Sequence, residues 1–208
     1  MMKFRVTVAG AGPGGEGYIL PAVSDAVAAA DVLVGGQRAL SPFSALGKEV
    51  LPVTADLAGL AEQLKVLARE KKVVVLVSGD PGFYSLLTYL RRHFSAEELE
   101  VIPGVSSVQV AFARLAEPWQ DAAFFSTHGR EGADILNDLL SPGKKAVLTD
   151  KVWTPGRIAK AMLDCGARDS LVALCYSLTT VDEKICLTKL SALTDTDEGD
   201  CVMVIIDE

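Results

Sequence analysis

Three short apolar runs in the first half of the chain each end in a glycine-rich turn, and this repeated step constrains the fold more than any other feature. The turns are Val8-Ala-Gly-Ala-Gly-Pro-Gly-Gly15, Val77-Ser-Gly-Asp-Pro-Gly-Phe-Tyr84 and Val101-Ile-Pro-Gly-Val-Ser-Ser107. Each leads into a stretch whose apolar residues recur at helical spacing. Strand, glycine turn and helix in succession describe an open α/β sheet, in which ligands sit outside the carboxyl ends of the strands. Three such turns close together in sequence, the middle one carrying Asp80, imply one small-molecule pocket.

Strands are expected at Phe4–Ala9, Asp31–Gly35, Lys72–Val77 and Leu99–Ile102, and helices at Ile19–Ala30, Leu57–Arg69, Tyr84–His93 and Ser106–Leu115. The unbroken run Val73-Val-Val-Leu-Val77 is typical of a parallel strand covered on both faces. Ala116-Glu-Pro-Trp-Gln-Asp121 breaks the pattern, so a domain boundary is expected there, giving residues 1–117 and 118–208. Beyond it come strand Ala122–Ser126, helix Ala133–Leu140, strand Lys145–Thr149 and helix Pro155–Asp164. Strands Leu171–Tyr176, Glu183–Leu187 and Cys201–Ile206 are joined by polar turns, which implies antiparallel pairing. The fold class is therefore α/β in two domains, the first with a mostly parallel sheet and the second with a mixed one.

Composition excludes several roles. Half of the 208 residues are hydrophobic, which argues against disorder and supports a substantial core. No apolar run reaches the roughly 20 residues that span a bilayer, and the opening Met-Met-Lys-Phe-Arg-Val-Thr-Val reads as a first strand rather than a signal peptide. A soluble cytoplasmic protein is expected. The formal charge of −7 and the absence of a basic block disfavour nucleic acid and anionic membranes as partners. Cys165, Cys175, Cys186 and Cys201 form no C-x-x-C pair, and only His93 and His128 supply imidazole. Reduced thiols are expected and a protein-bound metal is not.

Gly10, Gly12 and Gly15 fit G-x-G-x-x-G, with Asp31 about 20 residues on, the spacing of a dinucleotide site. Against that reading, Asp31 precedes the second strand instead of ending it. Pro13 and the adjacent glycines also delay the helix N-terminus that would hold a pyrophosphate. A tight turn for close packing is the plainer alternative. Asp80 has two readings as well: its carboxylate can accept from ribose hydroxyls or an ammonium group, or it can cap the Tyr84 helix. Ser106 and Ser107 stand at a helix start, where serine is a common N-cap.

Taken together, Gly10-Ala-Gly-Pro-Gly14, Gly79-Asp-Pro-Gly82 and Pro103-Gly-Val-Ser-Ser107 followed by Ala113-Arg-Leu115 resemble the tetrapyrrole methylase family. Pro118-Trp-Gln-Asp121, Ser126-Thr-His-Gly-Arg130 and Leu148-Thr-Asp150 with Thr154-Pro155 resemble the branch that methylates carbon 5 of a corrin precursor in cobalamin biosynthesis. The resemblance implies two α/β domains with S-adenosylmethionine between them, and typically a homodimer. It places the cofactor against Pro13, Gly79, Asp80, Pro81, Gly82, Phe83, Ser106 and Ser107, with Leu148 and Thr149 contributing from the second domain. A C15-methylating, decarboxylating activity on the same pathway intermediate is expected on a separate polypeptide. Other tetrapyrrole methylases, diphthine synthase and a non-catalytic nucleotide-binding module are the alternatives.

Methyl transfer from a sulfonium needs alignment and exclusion of water rather than a nucleophilic triad, and no triad is visible. No catalytic residue is assigned; Asp80, His128 or water are the candidates for taking a proton. A corrin precursor carries many carboxylates, for which arginine is suited. Arg130, next to His128, is the first candidate for binding them, with Arg38, Lys151 and Arg157 behind it. Trp119 and Trp153 are candidates to flank the flat macrocycle or, more commonly for tryptophan, to fill a core. The acids of Asp195–Asp200 read as a solvated turn.

Overall fold

The protein is described by a computed structural model, covering residues 5–128, 133–195 and 200–206. It divides into two compact units, Met1–Ser106 and Ser107–Glu208. The division falls before the helix Ser107–Leu115, not after it as the sequence pattern implied, because that helix packs against a strand of the second unit.

The first unit holds five parallel strands: β1 (Val6–Gly10), β2 (Val32–Gly35), β3 (Glu49–Pro52), β4 (Val73–Val77) and β5 (Leu99–Ile102), in the spatial order β3-β2-β4-β1-β5. The sequence explains why both faces are covered. Val6, Val8, Val32, Val34, Val73 and Val75 point to one face and pack on Leu60, Ala61 and Leu64 of helix α3 (Leu57–Leu67). Their neighbours Ala9, Leu33, Val74 and Leu76 point to the other face, against Val23 and Val27 of α1 (Pro21–Ala29) and Ala39 of the single-turn α2 (Gln37–Leu40). Alternation with apolar residues on both sides is what a doubly covered strand requires. Helix α3 begins at Asp56, whose side chain accepts the Gly59 N–H at 2.8 Å.

The strand order gathers the carboxyl ends of β4, β1 and β5 side by side: from β1 the chain passes β4 to reach β2, and from β4 it passes β1 to reach β5. In an open α/β sheet ligands bind at that edge.

Two expectations for this unit are corrected. Tyr84–His93 is not one helix; only α4 (Leu87–Leu90) is helical, because Tyr84 takes φ 46° and the Ser85 hydroxyl bonds to the Pro81 carbonyl, so the loop turns away first. Strand β3 was not anticipated: Glu49-Val-Leu-Pro52 is a short, largely exposed edge strand closing on a proline, with no apolar run to mark it.

The second unit contains α5 (Ser107–Leu115), β6 (Ala123–Ser126), α6 (Ala133–Leu139), β7 (Lys145–Leu148), α7 (Pro155–Asp164), β8 (Leu171–Tyr176), β9 (Lys184–Lys189) and β10 (Val202–Ile206). Its sheet has the order β6-β7-β10-β8-β9 and is mixed, with β6 and β7 parallel and β10 antiparallel to both β7 and β8. Ile135 and Leu139 of α6 and Ile158, Ala159 and Met162 of α7 cover one face, over Val147, Leu174 and Met203. Helix α7 starts where expected, with Thr154 accepting the Arg157 N–H at 3.3 Å and proline at the first turn. Because β10 runs against both neighbours, β6, β7 and β8 share a direction and end on one edge.

Candidate active site at the carboxyl edges

In the first unit the three glycine turns meet. Gly12 and Gly79 exchange backbone hydrogen bonds, at 2.7 Å from Gly79 N–H and 3.3 Å from Gly12 N–H. Gly79 has φ +69°, a conformation that excludes most side chains. Gly10 and Gly104 touch backbone to backbone: a methyl on Gly10 would lie 2.5 Å from the Gly79 carbonyl oxygen and 2.6 Å from Gly104 Cα. These glycines let strand ends and turns approach without side chains between them.

Asp80 fastens the arrangement. Its Oδ1 accepts the Gly82 N–H at 2.7 Å within its own turn, and its Oδ2 accepts the Gly104 N–H at 2.9 Å from the turn after β5. The carboxylate caps no helix. Arg38, at the carboxyl end of β2, donates from a guanidinium nitrogen to the Pro13 carbonyl at 2.9 Å. It therefore buttresses the first turn, although much of it stays exposed. Pro13, Pro81 and Ser106 are buried, while Gly79, Asp80, Phe83 and Ser107 are half-buried and Gly82 is exposed. Phe83 and Tyr84 stack edge to face, with centroids 4.9 Å apart.

Asp31 settles the dinucleotide question. Its carboxylate accepts the Lys72 N–H at 2.8 Å, at the amino ends of β2 and β4, which is the edge opposite the glycine turns. It cannot hold a ribose bound at the carboxyl edge.

In the second unit the expected residues also follow strand carboxyl ends. Thr127 and His128 follow β6, and Thr149, Asp150 and Lys151 follow β7. Thr127 donates to the Leu148 carbonyl from its backbone at 3.0 Å and from its hydroxyl at 3.2 Å. Thr149 is buried, and its hydroxyl bonds the Cys201 backbone, accepting the N–H at 3.0 Å and donating to the carbonyl at 3.1 Å. Its side chain thus holds the sheet edge together. Asp150 Oδ1 accepts the backbone N–H groups of Val152 and Trp153, both at 2.7 Å. Burial pushes the Asp150 carboxyl up, but those two N–H groups, the Thr127 hydroxyl and nearby His128 together hold it below the usual value. His128 and Lys151 are exposed, and Arg130 lies outside the described residues.

Arg157 is already engaged. It donates to the Val152 carbonyl at 3.0 Å and stands 4.5 Å over the Trp153 ring, which is partly buried against the core. Trp119 is exposed and stacks edge-on against Phe124 at 6.0 Å. Burial pushes the Cys175 thiol up to about 12, so that thiol is inert. Among the described residues no group of three or more His, Cys, Asp or Glu is placed to hold a metal ion. No helix among them is long and apolar enough to cross a membrane.

The donor set of the first unit fits S-adenosylmethionine better than a polyphosphate. It consists of backbone groups, prolines and Phe83, and Arg38 is turned onto Pro13. Residues 5–194 match the tetrapyrrole (corrin/porphyrin) methylases. The chain belongs to that family and is a methyltransferase. It is 36% identical over 203 residues, 98% of its own length and 99% of the relative's, to cobalt-precorrin-7 C(5)-methyltransferase of Salmonella typhimurium. It is 29% identical to precorrin-6Y C(5,15)-methyltransferase [decarboxylating] of a Sinorhizobium species, matching 86% of this chain but 44% of that longer protein. Among solved structures, the methyltransferase CobJ superposes with a TM-score of 0.84 at 21% identity, covering 98% of this chain and 94% of that one. Uroporphyrin-III C-methyl transferase from Thermus thermophilus, complexed with S-adenyl homocysteine, does so with a TM-score of 0.81 at 21% identity, covering 98% and 97%.

Proposed function

We propose that this protein is an S-adenosylmethionine-dependent C-methyltransferase of cobalamin biosynthesis that methylates carbon 5 of a cobalt-containing corrin precursor. The observation that carries this reading is the end-to-end match to the Salmonella enzyme, at an identity well above that of the structural neighbours. The meeting of the three glycine turns agrees with it. Bound S-adenosylmethionine supplies an electrophilic methyl group, which passes in line to a nucleophilic ring carbon while the electron pair of the broken bond stays on sulfur.

The chain's part is positioning. Gly79–Phe83, Ser106, Ser107 and Pro13 hold the donor through backbone groups and apolar walls, with Asp80 fixing the turns that present them. Leu148 and Thr149 are the second unit's donor contacts by family resemblance. His128, Lys151 and Arg130 are the acceptor's carboxylate partners, while Arg38 supports the donor turn through its bond to the Pro13 carbonyl. The proton released from carbon 5 goes to Asp80, His128 or water. The corrin carries its own cobalt, so the protein needs no metal of its own. A cytoplasmic homodimer, with the C15 activity on a separate chain, completes the proposal; in the Sinorhizobium relative the two activities share one name.

Titration calorimetry with S-adenosylmethionine, S-adenosylhomocysteine and NAD tests the cofactor half of this reading. The first two bind and NAD does not; binding of NAD alone overturns it.

A further inference from the structure

The second unit holds a cavity at the edge of its sheet opposite Thr149 and His128. Lys145 opens β7 and pairs in register with Ile205 near the end of β10, while Ser170 stands just before β8. The ends of α6 and α7 reach the same edge, where Leu139, Met162 and Cys165 line the cavity together with Lys145, Arg168 and Ile205. Its volume is about 420 Å³, within the range of small-molecule pockets.

The lining divides by chemistry. Leu139, Met162 and Ile205 are core residues, so the cavity cuts into the apolar interior. Lys145 is only 1% exposed, and its ammonium donates to the Gly143 carbonyl at 2.7 Å, whereas Arg168 stands exposed at the rim. Among the described lining residues there is no Asp or Glu. In a chain of net charge −7, two cations around one cavity make a local positive field. An ammonium carries three donors and a guanidinium five, in a fork that matches a carboxylate. Apolar walls beside a cationic end select an acid with a hydrocarbon body.

We propose that this cavity binds a small organic acid, its carboxylate held by Lys145 and Arg168 and its hydrocarbon part against Leu139, Met162 and Ile205. The site shares no residue with the methyl-transfer machinery, so it stands or falls independently of the function proposed above. Cys165, an exposed thiol on the cavity wall, reports occupancy, because a bound ligand shields it from alkylation.

The test titrates hexanoate into the full chain while iodoacetamide labels Cys165, read by peptide mass, with hexanamide as the neutral control. Hexanoate slows the labelling with a Kd of about 1 mM, and hexanamide binds at least about tenfold more weakly. Lys145→Met, which keeps an unbranched side chain without the charge, weakens hexanoate protection roughly tenfold, and Arg168→Gln does so roughly threefold, each against its own rate without ligand. Arg168→Gln lies at the rim and keeps the test decisive should Lys145→Met fail to fold. Neither variant changes S-adenosylhomocysteine affinity in calorimetry; a coupled loss in Arg168→Gln overturns the separation from the methyl-donor site. Absence of protection by hexanoate, equal protection by hexanamide, or undiminished protection in either folded variant overturns the inference and leaves the proposed function intact.

Discussion

The Asp80 carboxylate reaches the Gly104 N–H at 2.9 Å, linking the turn after β4 to the turn after β5 over the end of β1, which lies between them in the sheet. A single side chain thus ties together two of the three glycine turns that the family resemblance assigns to the cofactor. A carboxylate on two backbone donors is a charge-assisted arrangement, stronger than a neutral pair.

Asp80→Ala therefore affects the empty protein as well as the loaded one. Stability falls by about 1.5–3 kcal/mol in denaturant unfolding, and S-adenosylhomocysteine affinity falls roughly 10- to 100-fold in calorimetry. A carboxylate that touched only the ligand would lower affinity and leave unfolding of the empty protein unchanged.

Gly104→Ala has no room to be accommodated. The added methyl group would approach the Gly79 carbonyl closely and stand 2.7 Å from Gly10 Cα and 2.8 Å from the Gly10 carbonyl oxygen, all of it backbone. A loss of roughly 1–3 kcal/mol is expected, together with weakened donor binding. Gly17→Ala is the control, because nothing lies within 4 Å of the added atom; unfolding midpoints compare the two.

Arg38 separates buttress from clamp. Its 2.9 Å bond to the Pro13 carbonyl predicts that Arg38→Ala raises the donor KM by about three- to tenfold and leaves the acceptor KM unchanged. A rise confined to the acceptor KM would return Arg38 to direct binding of substrate carboxylates.

Acid weakens the second unit in a defined window. The Glu183 carboxyl is held low first by the Arg114 hydrogen bond and next by the Thr179 N–H; Asp150 is held low against its burial by the Trp153 and Val152 N–H groups. A folded-state value below the unfolded one adds stability that is present above the unfolded value and is lost as pH falls through the folded one. Thermal midpoints therefore decline as pH drops below about 4, and Glu183→Gln makes that decline shallower.

The long apolar strands and their glycine turns were legible because burial on both faces leaves an unbroken pattern, as in Val73–Val77. Helix α7 and strand β8 matched their expected bounds for a related reason: a proline start and an unbroken apolar stretch are local signals. Strand β3 was hidden because an edge strand needs only one partner and tolerates exposed residues and a proline. The Tyr84 segment misled because helical spacing says nothing of Tyr84 at φ 46°, or of the Ser85 hydroxyl on the Pro81 carbonyl. The bond of Asp80 to Gly104, that of Arg38 to Pro13 and the Arg114–Glu183 pair join residues distant in sequence, so no local pattern announces them.

The most direct measurement is the fate of a labelled methyl group. The protein is incubated with methyl-13C S-adenosylmethionine and the cobalt-precorrin acceptor, and the product is read by mass and by carbon NMR. The account predicts one added methyl group, with the label attached to carbon 5 of the macrocycle. Label at another ring carbon, or no transfer by protein that binds the donor, would contradict it.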